Sequence, residues 1–212
     1  EHLPWVYHLI SNTPDECVIG GNRIAIESLV KELNVSFHAV DIITTVHCEL
    51  AKPVADAYRE LHLFETTPPD NTTFYSCHTG SAYEVSRDNA ADSIVNMALQ
   101  PFDFTRVINS AYDDGARIFI EMGPGASCTR MIDQILIDKP HASRAICVKG
   151  RNGVNEVLQT LALLNTHRLD IDLSSLYQDV NNSESETINN NVISVKTGHA
   201  PVAIRLPRSR KS

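Results

Sequence analysis

His47 is the residue of this chain best placed to do chemistry. It lies in the run Thr44-Thr45-Val46-His47-Cys48-Glu49-Leu50, where a β-branched stretch ends and a helical stripe begins. Strand ends are where α/β folds carry their working side chains. A free imidazole titrates near neutrality, so it can take a proton from a hydroxyl and return it to a leaving group. A structural or surface role is the plainer alternative, since the chain has nine histidines. Cys48 is adjacent, but neighbouring side chains diverge on a helix or strand, so a Cys48–His47 couple is not expected. The second landmark is Glu121-Met122-Gly123-Pro124-Gly125. Gly123, Pro124 and Gly125 predict a structural turn from strand to helix, with glycine supplying backbone freedom. The spacing is not that of G-x-G-x-x-G or of a P-loop, so the turn does not point to a nucleotide.

A hydroxyl nucleophile is harder to find. No G-x-S-x-G elbow occurs. Ser81 and Ser127 each lack the second glycine and read as a turn or helix-start residue. The scattered His38, His78 and His141, and the absence of any C-x-x-C pair, give no metal-ligand pattern.

The elements around these landmarks follow from periodicity. Trp5–Ile10 and Glu16–Ile19 predict two strands joined by turn residues Asn12-Thr13-Pro14-Asp15. Apolar residues Ile24, Ile26, Leu29, Val30 and Leu33 fall at helical spacing after Asn22, a candidate N-cap. Val35 to Ile43 is β-branched and predicts a strand. Leu50, Val54, Ala57, Tyr58 and Leu61 form a helical stripe, with Pro53 tolerable in its first turn. A Pro-rich loop over 66–71 precedes a short strand at Thr73–Ser76. Helices follow at Asn89–Leu99 and Phe104–Tyr112, then a buried strand at Arg117–Met122. A helix through Ile137, a strand at Ser143–Val148 and a helix at Val154–Leu164 complete the pattern. Asp179–Asn191 is polar and predicts a flexible linker, with strand-like pieces at Val192–Val195 and Val202–Leu206 beyond it.

Composition excludes some functions. The chain has 212 residues, 42% hydrophobic and 21% charged, with a formal net charge of -8. That balance argues against a nucleic-acid binder, and the basic cluster at Arg205, Arg208, Arg210 and Lys211 reads as a solvated tail. No apolar run is long enough for a membrane helix. Five unpaired-looking cysteines suit a reduced, cytoplasmic protein.

Taken in order, six segments resemble the malonyl-CoA:acyl-carrier-protein transacylase family, including acyltransferase domains of polyketide and polyunsaturated fatty acid synthases. Asn12-Thr13-Pro14 through Val18-Ile19 to Gly21 is similar to the N-x-P…V-x-x-G strand-turn-strand of a ferredoxin-like subdomain. Val46-His47-Cys48-Glu49-Leu50 with Lys52-Pro53 resembles the family's histidine segment. Phe74-Tyr75-Ser76 with Thr79-Gly80 resembles its Y-S-x-x-T-G strand, and Gln100-Pro101-Phe102-Asp103-Phe104 its x-P-V-R-F segment. Glu121-Met122-Gly123-Pro124-Gly125 matches the E-x-G-P-G turn, and Leu169 through Leu176-Tyr177 resembles the post-domain linker.

The resemblance implies an α/β fold: a partial acyltransferase fold with a hydrolase-like core and part of a ferredoxin-like subdomain. It implies boundaries at 1–45 for the small subdomain, 46–168 for the core and 169–212 for linker and tail. It implies transfer of a malonyl-type acyl group from acyl-CoA to the phosphopantetheine thiol of an acyl carrier protein, with no permanently bound cofactor. His47 would be the base for a serine upstream of Glu1, in a ping-pong scheme. A backbone carbonyl four residues before the segment's proline orients the histidine in the family. Counting back from Pro101 gives Met97, where Asn or Gln is usual. The residue before the histidine often tracks acyl choice, and Val46 is neither the bulky aromatic nor the small serine. The implied partners are the carrier protein, the upstream half of the domain and other synthase domains. Residues 1–212 alone are therefore expected to be inactive and poorly soluble. The alternatives are a non-catalytic acyltransferase-like scaffold that docks a carrier protein and, less well matched, a generic α/β hydrolase. That last family places its histidine near the chain's end.

Overall fold

The computed structural model describes residues 6–40, 46–177, 192–196 and 201–205. The chain divides into two compact units, Glu1–Thr160 and Leu161–Ser212.

The first unit opens with a hairpin. Strands β1 (Val6–Thr13) and β2 (Glu16–Gly21) pair antiparallel, with irregular register between His8 and Ile10 and between Ser11 and Thr13. The two-residue connection is held locally: the amide of Asp15 donates to Thr13 Oγ1, and Asn12 Nδ2 donates to Glu16. Helix α1 (Arg23–Leu33) starts at Asn22, whose side chain accepts from the amides of Ile24 and Ala25. It ends on Asn34 in the left-handed region (φ 52°), a conformation asparagine tolerates.

Of the strand expected over Val35–Ile43, the described part does not form: residues 35–40 have no regular structure and Val35, Phe37 and Val40 are exposed, while residues 41–45 lie outside the described residues. β-propensity yields a strand only where a neighbour supplies the hydrogen-bond ladder, and no described strand pairs with this stretch. The expected Leu50–Leu61 helix is likewise divided. It begins as a 3-10 helix at Glu49–Val54 and becomes helix α2 only at Ala55–Glu60. Pro53 has no amide to donate and lies inside the 3-10 segment.

A small hairpin follows, β3 (Phe74–Ser76) with β4 (Ser81–Tyr83). Gly80 turns it at φ +67°, where a Cβ would meet the Arg106 side chain at 2.5 Å. Helix α3 (Arg87–Leu99) is capped by Ser86 Oγ and buries Ala91, Val95 and Ala98 along one stripe. Arg59 on α2 pairs with Asp88 and Asp92 on α3 at 2.9 and 2.6 Å. After α3 comes a two-residue strand, β5 (Phe102–Asp103), which pairs parallel with β1, Ile10 facing Phe102. Asp103 closes that strand and, through its side chain, caps helix α4 (Phe104–Asp113).

The deepest packing lies beyond it. Strands β6 (Ile118–Pro124) and β7 (Ala142–Cys147) pair in parallel, joined by helix α5 (Ser127–Ile135). Ile108, Ile132, Ile135 and Leu136 form the buried cluster, with Phe104, Tyr112, Phe119 and Met131 against it. Arg130 of α5 reaches Glu16 of β2 at 2.9 Å, holding that carboxyl below its usual range and tying the hairpin to this layer. Helix α6 (Gly153–Thr166) runs across the division between the units. The second unit holds the end of α6, a 3-10 turn at Ser174–Tyr177 and an antiparallel hairpin, β8 (Val192–Lys196) with β9 (Pro201–Arg205). The linker expected over 179–191 lies outside the described residues.

Candidate active site

The last carbonyls of an α-helix have no partner within the helix. In α3 the carbonyl of Asn96 is taken by the amide of Gln100. Those of Met97 and Ala98 are taken by His47. The His47 amide donates to Ala98 O at 2.7 Å, and His47 Nδ1 lies 2.7 Å from Met97 O. A carbonyl oxygen only accepts, so Nδ1 must carry the proton of the neutral ring. Nε2 then holds the lone pair, and it has no hydrogen-bond partner among the described residues.

The backbone supports this placement. His47 has φ 62°, the left-handed region, uncommon outside glycine although histidine is among the enriched exceptions. Cys48, one residue on, is 4% exposed and anchors the segment, which leaves its thiol poorly placed to act. The imidazole itself is half-buried and meets Phe102 edge-to-face, with centroids 5.0 Å apart and planes at 76°. Small side chains on α3, with Ala98 buried, permit the close backbone approach. Val46 is half-buried beside the histidine.

The Gly-Pro-Gly turn is narrower than expected. Gly123 and Pro124 still belong to β6, with a bulge between Glu121 and Pro124 against β7. The reversal falls at Gly125, at φ +113°, with its amide bonded to Cys147 O at 2.7 Å. The physical reason is that β7 continues to offer a ladder partner as far as Cys147. Ala126 gives α5 no side-chain cap. Glu121 does so instead: its carboxylate accepts from the amides of Cys128 and Thr129, at 3.3 and 2.7 Å, and from Thr129 Oγ1 at 2.6 Å. Burial pushes the Glu121 carboxyl up, but these hydrogen bonds outweigh it and hold the group below its usual range. Ser127 begins the helix, consistent with a structural role.

A cavity of about 340 Å³ opens between β4 and α4, lined by Gly80, Arg106 and Asp113 among others. His47 is not among its walls. No group of three or more His, Cys, Asp or Glu among the described residues could hold a metal ion. No described helix is long and apolar enough to cross a membrane.

No known family profile matches the chain. A reducing polyketide synthase of Cochliobolus heterostrophus is 22% identical over 191 residues, 84% of this chain and 8% of the synthase. A polyunsaturated fatty acid synthase of Thraustochytrium sp. is 23% identical over 171 residues, 76% of this chain and 8% of that protein. The solved acyltransferase domain from the second module of the salinomycin polyketide synthase superposes with a TM-score of 0.72. It is 22% identical and covers 85% of this chain and 44% of that one. The chain has part of an acyltransferase fold. A second solved example, a malonyl-transacylase in complex with its type II polyketide acyl-carrier protein, superposes at 0.61 with 19% identity, covering 74% of this chain and 50% of that one. The chain thus spans a small fraction of the two curated relatives and half or less of these solved acyltransferase folds.

Sequence reasoning pointed to His47 and Met97, and the acyltransferase fold brings their atoms together. It did not find Ala98, Phe102 or Glu121. Phe102 had a signal, its place directly after Pro101 in a recognised segment. Glu121 had another, an acidic residue six positions before a helix start with no polar cap of its own.

Proposed function

We propose that this chain carries the general base of an acyltransferase that moves a malonyl-type acyl group from CoA to the phosphopantetheine thiol of an acyl carrier protein. The observation that supports it best is the one-sided hydrogen bonding of His47, which leaves Nε2 free as a base. The nucleophile is a serine hydroxyl outside the 212 residues, upstream of Glu1. Its Oγ attacks the thioester carbonyl as Nε2 takes its proton. The tetrahedral adduct collapses, the C–S bond breaks, and the imidazolium protonates the departing CoA thiolate. The carrier thiol then gives its proton to Nε2, attacks the acyl-serine ester and releases the serine, which recovers the proton. The carbonyl end of α3 lies beside the ring as positive charge grows on it, the favourable end of the helix dipole.

In this reading residues 1–45 belong to a small subdomain, 46–168 to the core and 169–212 to a linker and tail, with Val46 in the wall of the acyl pocket. The two curated relatives, both synthases, suggest fatty acid or polyketide synthesis as the setting; a cytoplasmic location is part of the same proposal and rests on the cysteine pattern of the sequence. The test is His47→Ala in the full-length protein, assayed for transfer of labelled malonyl from CoA to holo carrier protein. Loss of about 10²–10⁴-fold is expected for a general acid–base. Unchanged transfer would overturn the catalytic reading.

A further inference from the structure

Two hydrogen bonds from His47 account for its backbone and for one ring nitrogen. They do not by themselves prevent the ring from turning over. Rotation about the Cβ–Cγ bond of histidine is broad and roughly two-fold. A half-turn would exchange Nδ1 with Cδ2 and Nε2 with Cε1, so that Nδ1 loses the Met97 carbonyl that fixes its proton and Nε2 leaves its present position. The group in contact with the ring is Phe102, 5.0 Å away and near perpendicular, the geometry aromatic pairs prefer.

Phe102 is unusually well anchored for so short a strand. Pro101 precedes it and fixes its own φ. Its backbone pairs with Ile10 of β1. Asp103, next in line, pairs with Ser11 and caps α4 by accepting from the Arg106 amide at 3.3 Å. Residues 97–102 therefore contribute three contacts to one histidine: a carbonyl for the ring, a carbonyl for the amide, and an aromatic wall.

We propose that Phe102 is a positioning residue that holds the His47 imidazole in a single orientation, with Nδ1 protonated and Nε2 presented outward. The hairpin β1–β2 takes part at one remove, because the β1–β5 ladder is what holds Phe102 in place. The consequence for turnover rests on the acyl-transfer reading above, but the orientation itself does not.

The test uses the full-length protein with ¹⁵N-labelled histidine, at a pH where imidazoles are neutral. Long-range proton–nitrogen correlation identifies the tautomer, and the His47→Ala spectrum assigns the His47 signals by subtraction. The native chain is expected to show protonated Nδ1 and bare Nε2. Phe102→Tyr keeps the ring and is expected to keep that pattern. Phe102→Leu keeps apolar bulk, so it folds more readily than an alanine variant, and is expected to show mixed tautomers. A Leu variant with the native pattern would overturn the proposal, as would a folded Tyr variant that loses it. In the full-length protein Phe102→Leu should lower kcat about tenfold with KM little changed. Transfer that survives His47→Ala while Phe102→Leu still scrambles the tautomer would sink the catalytic reading and leave the positioning role standing.

Discussion

Helices α5 and α6 both reach the β6–β7 pair, and they turn opposite characters towards it. α5 buries Ile132 and Ile135, and Leu136 just after it is fully buried. α6 buries Glu156 and Thr160, each 4% exposed, while Val154, Val157 and Leu158 lie in the open. The inward face of α6 is a polar network. Arg144 of β7 donates to Glu156 and Thr160 at 2.9 and 3.2 Å and also to Gln159, and Arg151 pairs with Glu156 at 3.6 Å. Hydrophobic periodicity predicts both helices equally well, because spacing marks a stripe and not the side that is covered. What covers a stripe depends on partners elsewhere, and α6 satisfied its arginine before its valines.

Glu156→Ala is the sharpest way to break the comparison. It leaves Arg144, itself only 23% exposed, facing a helix without its carboxylate. A loss of about 4 kcal/mol is expected in urea unfolding, in the range for breaking a buried pair. A loss under about 1 kcal/mol would mean that α6 is held by something other than this network. Leu136→Ala probes the apolar counterpart. Removing a fully buried leucine should cost about 3 kcal/mol through lost transfer energy and the cavity left behind. A smaller cost than that of Glu156→Ala would confirm that the polar side is the more fragile.

Glu121→Gln tests how α5 is started. The loss should be about 1 kcal/mol near neutral pH, the usual worth of a helix cap. Its pH dependence has a definite sign. The Glu121 carboxyl is held below its ordinary value in the folded chain. Its contribution is therefore complete above the unfolded value, roughly pH 4.3, and fades as pH falls through the lower folded one. Unfolding midpoints of native and Gln chains should converge in acid, and a constant gap from about pH 6 to about pH 3 would show that the charge is irrelevant.

Much of this fold was legible beforehand because its signals are local. Asn22 caps α1, and Ile118-Phe119-Ile120 makes the buried β6. What sequence could not supply was pairing at a distance. Val35–Val40 has the composition of a strand and no described neighbour. Phe102-Asp103 has no strand pattern at all and yet pairs, because β1 offers an edge there. β4 escaped notice because it is three residues long and exists only opposite β3. The site divides the same way. His47 stood out through its residue type and its place at a predicted strand end. Of its holders only the Met97 carbonyl was expected, and that by counting back from Pro101 in a recognised segment; the Ala98 carbonyl is a backbone group that no side-chain pattern reveals, and the Phe102 contact depends on the distant pairing with β1.

Asp103 closes β5 and caps α4 within one residue, so the chain has no slack at that junction. An extra residue between Pro101 and Thr105 could not be absorbed as a loop. It would have to unzip the ladder to β1 or uncap α4, and the first of these would reach His47 without altering any atom the histidine touches directly except one phenyl ring. A length change there should thus behave as a loosened hinge pin, felt at the base through a hairpin that carries none of the chemistry.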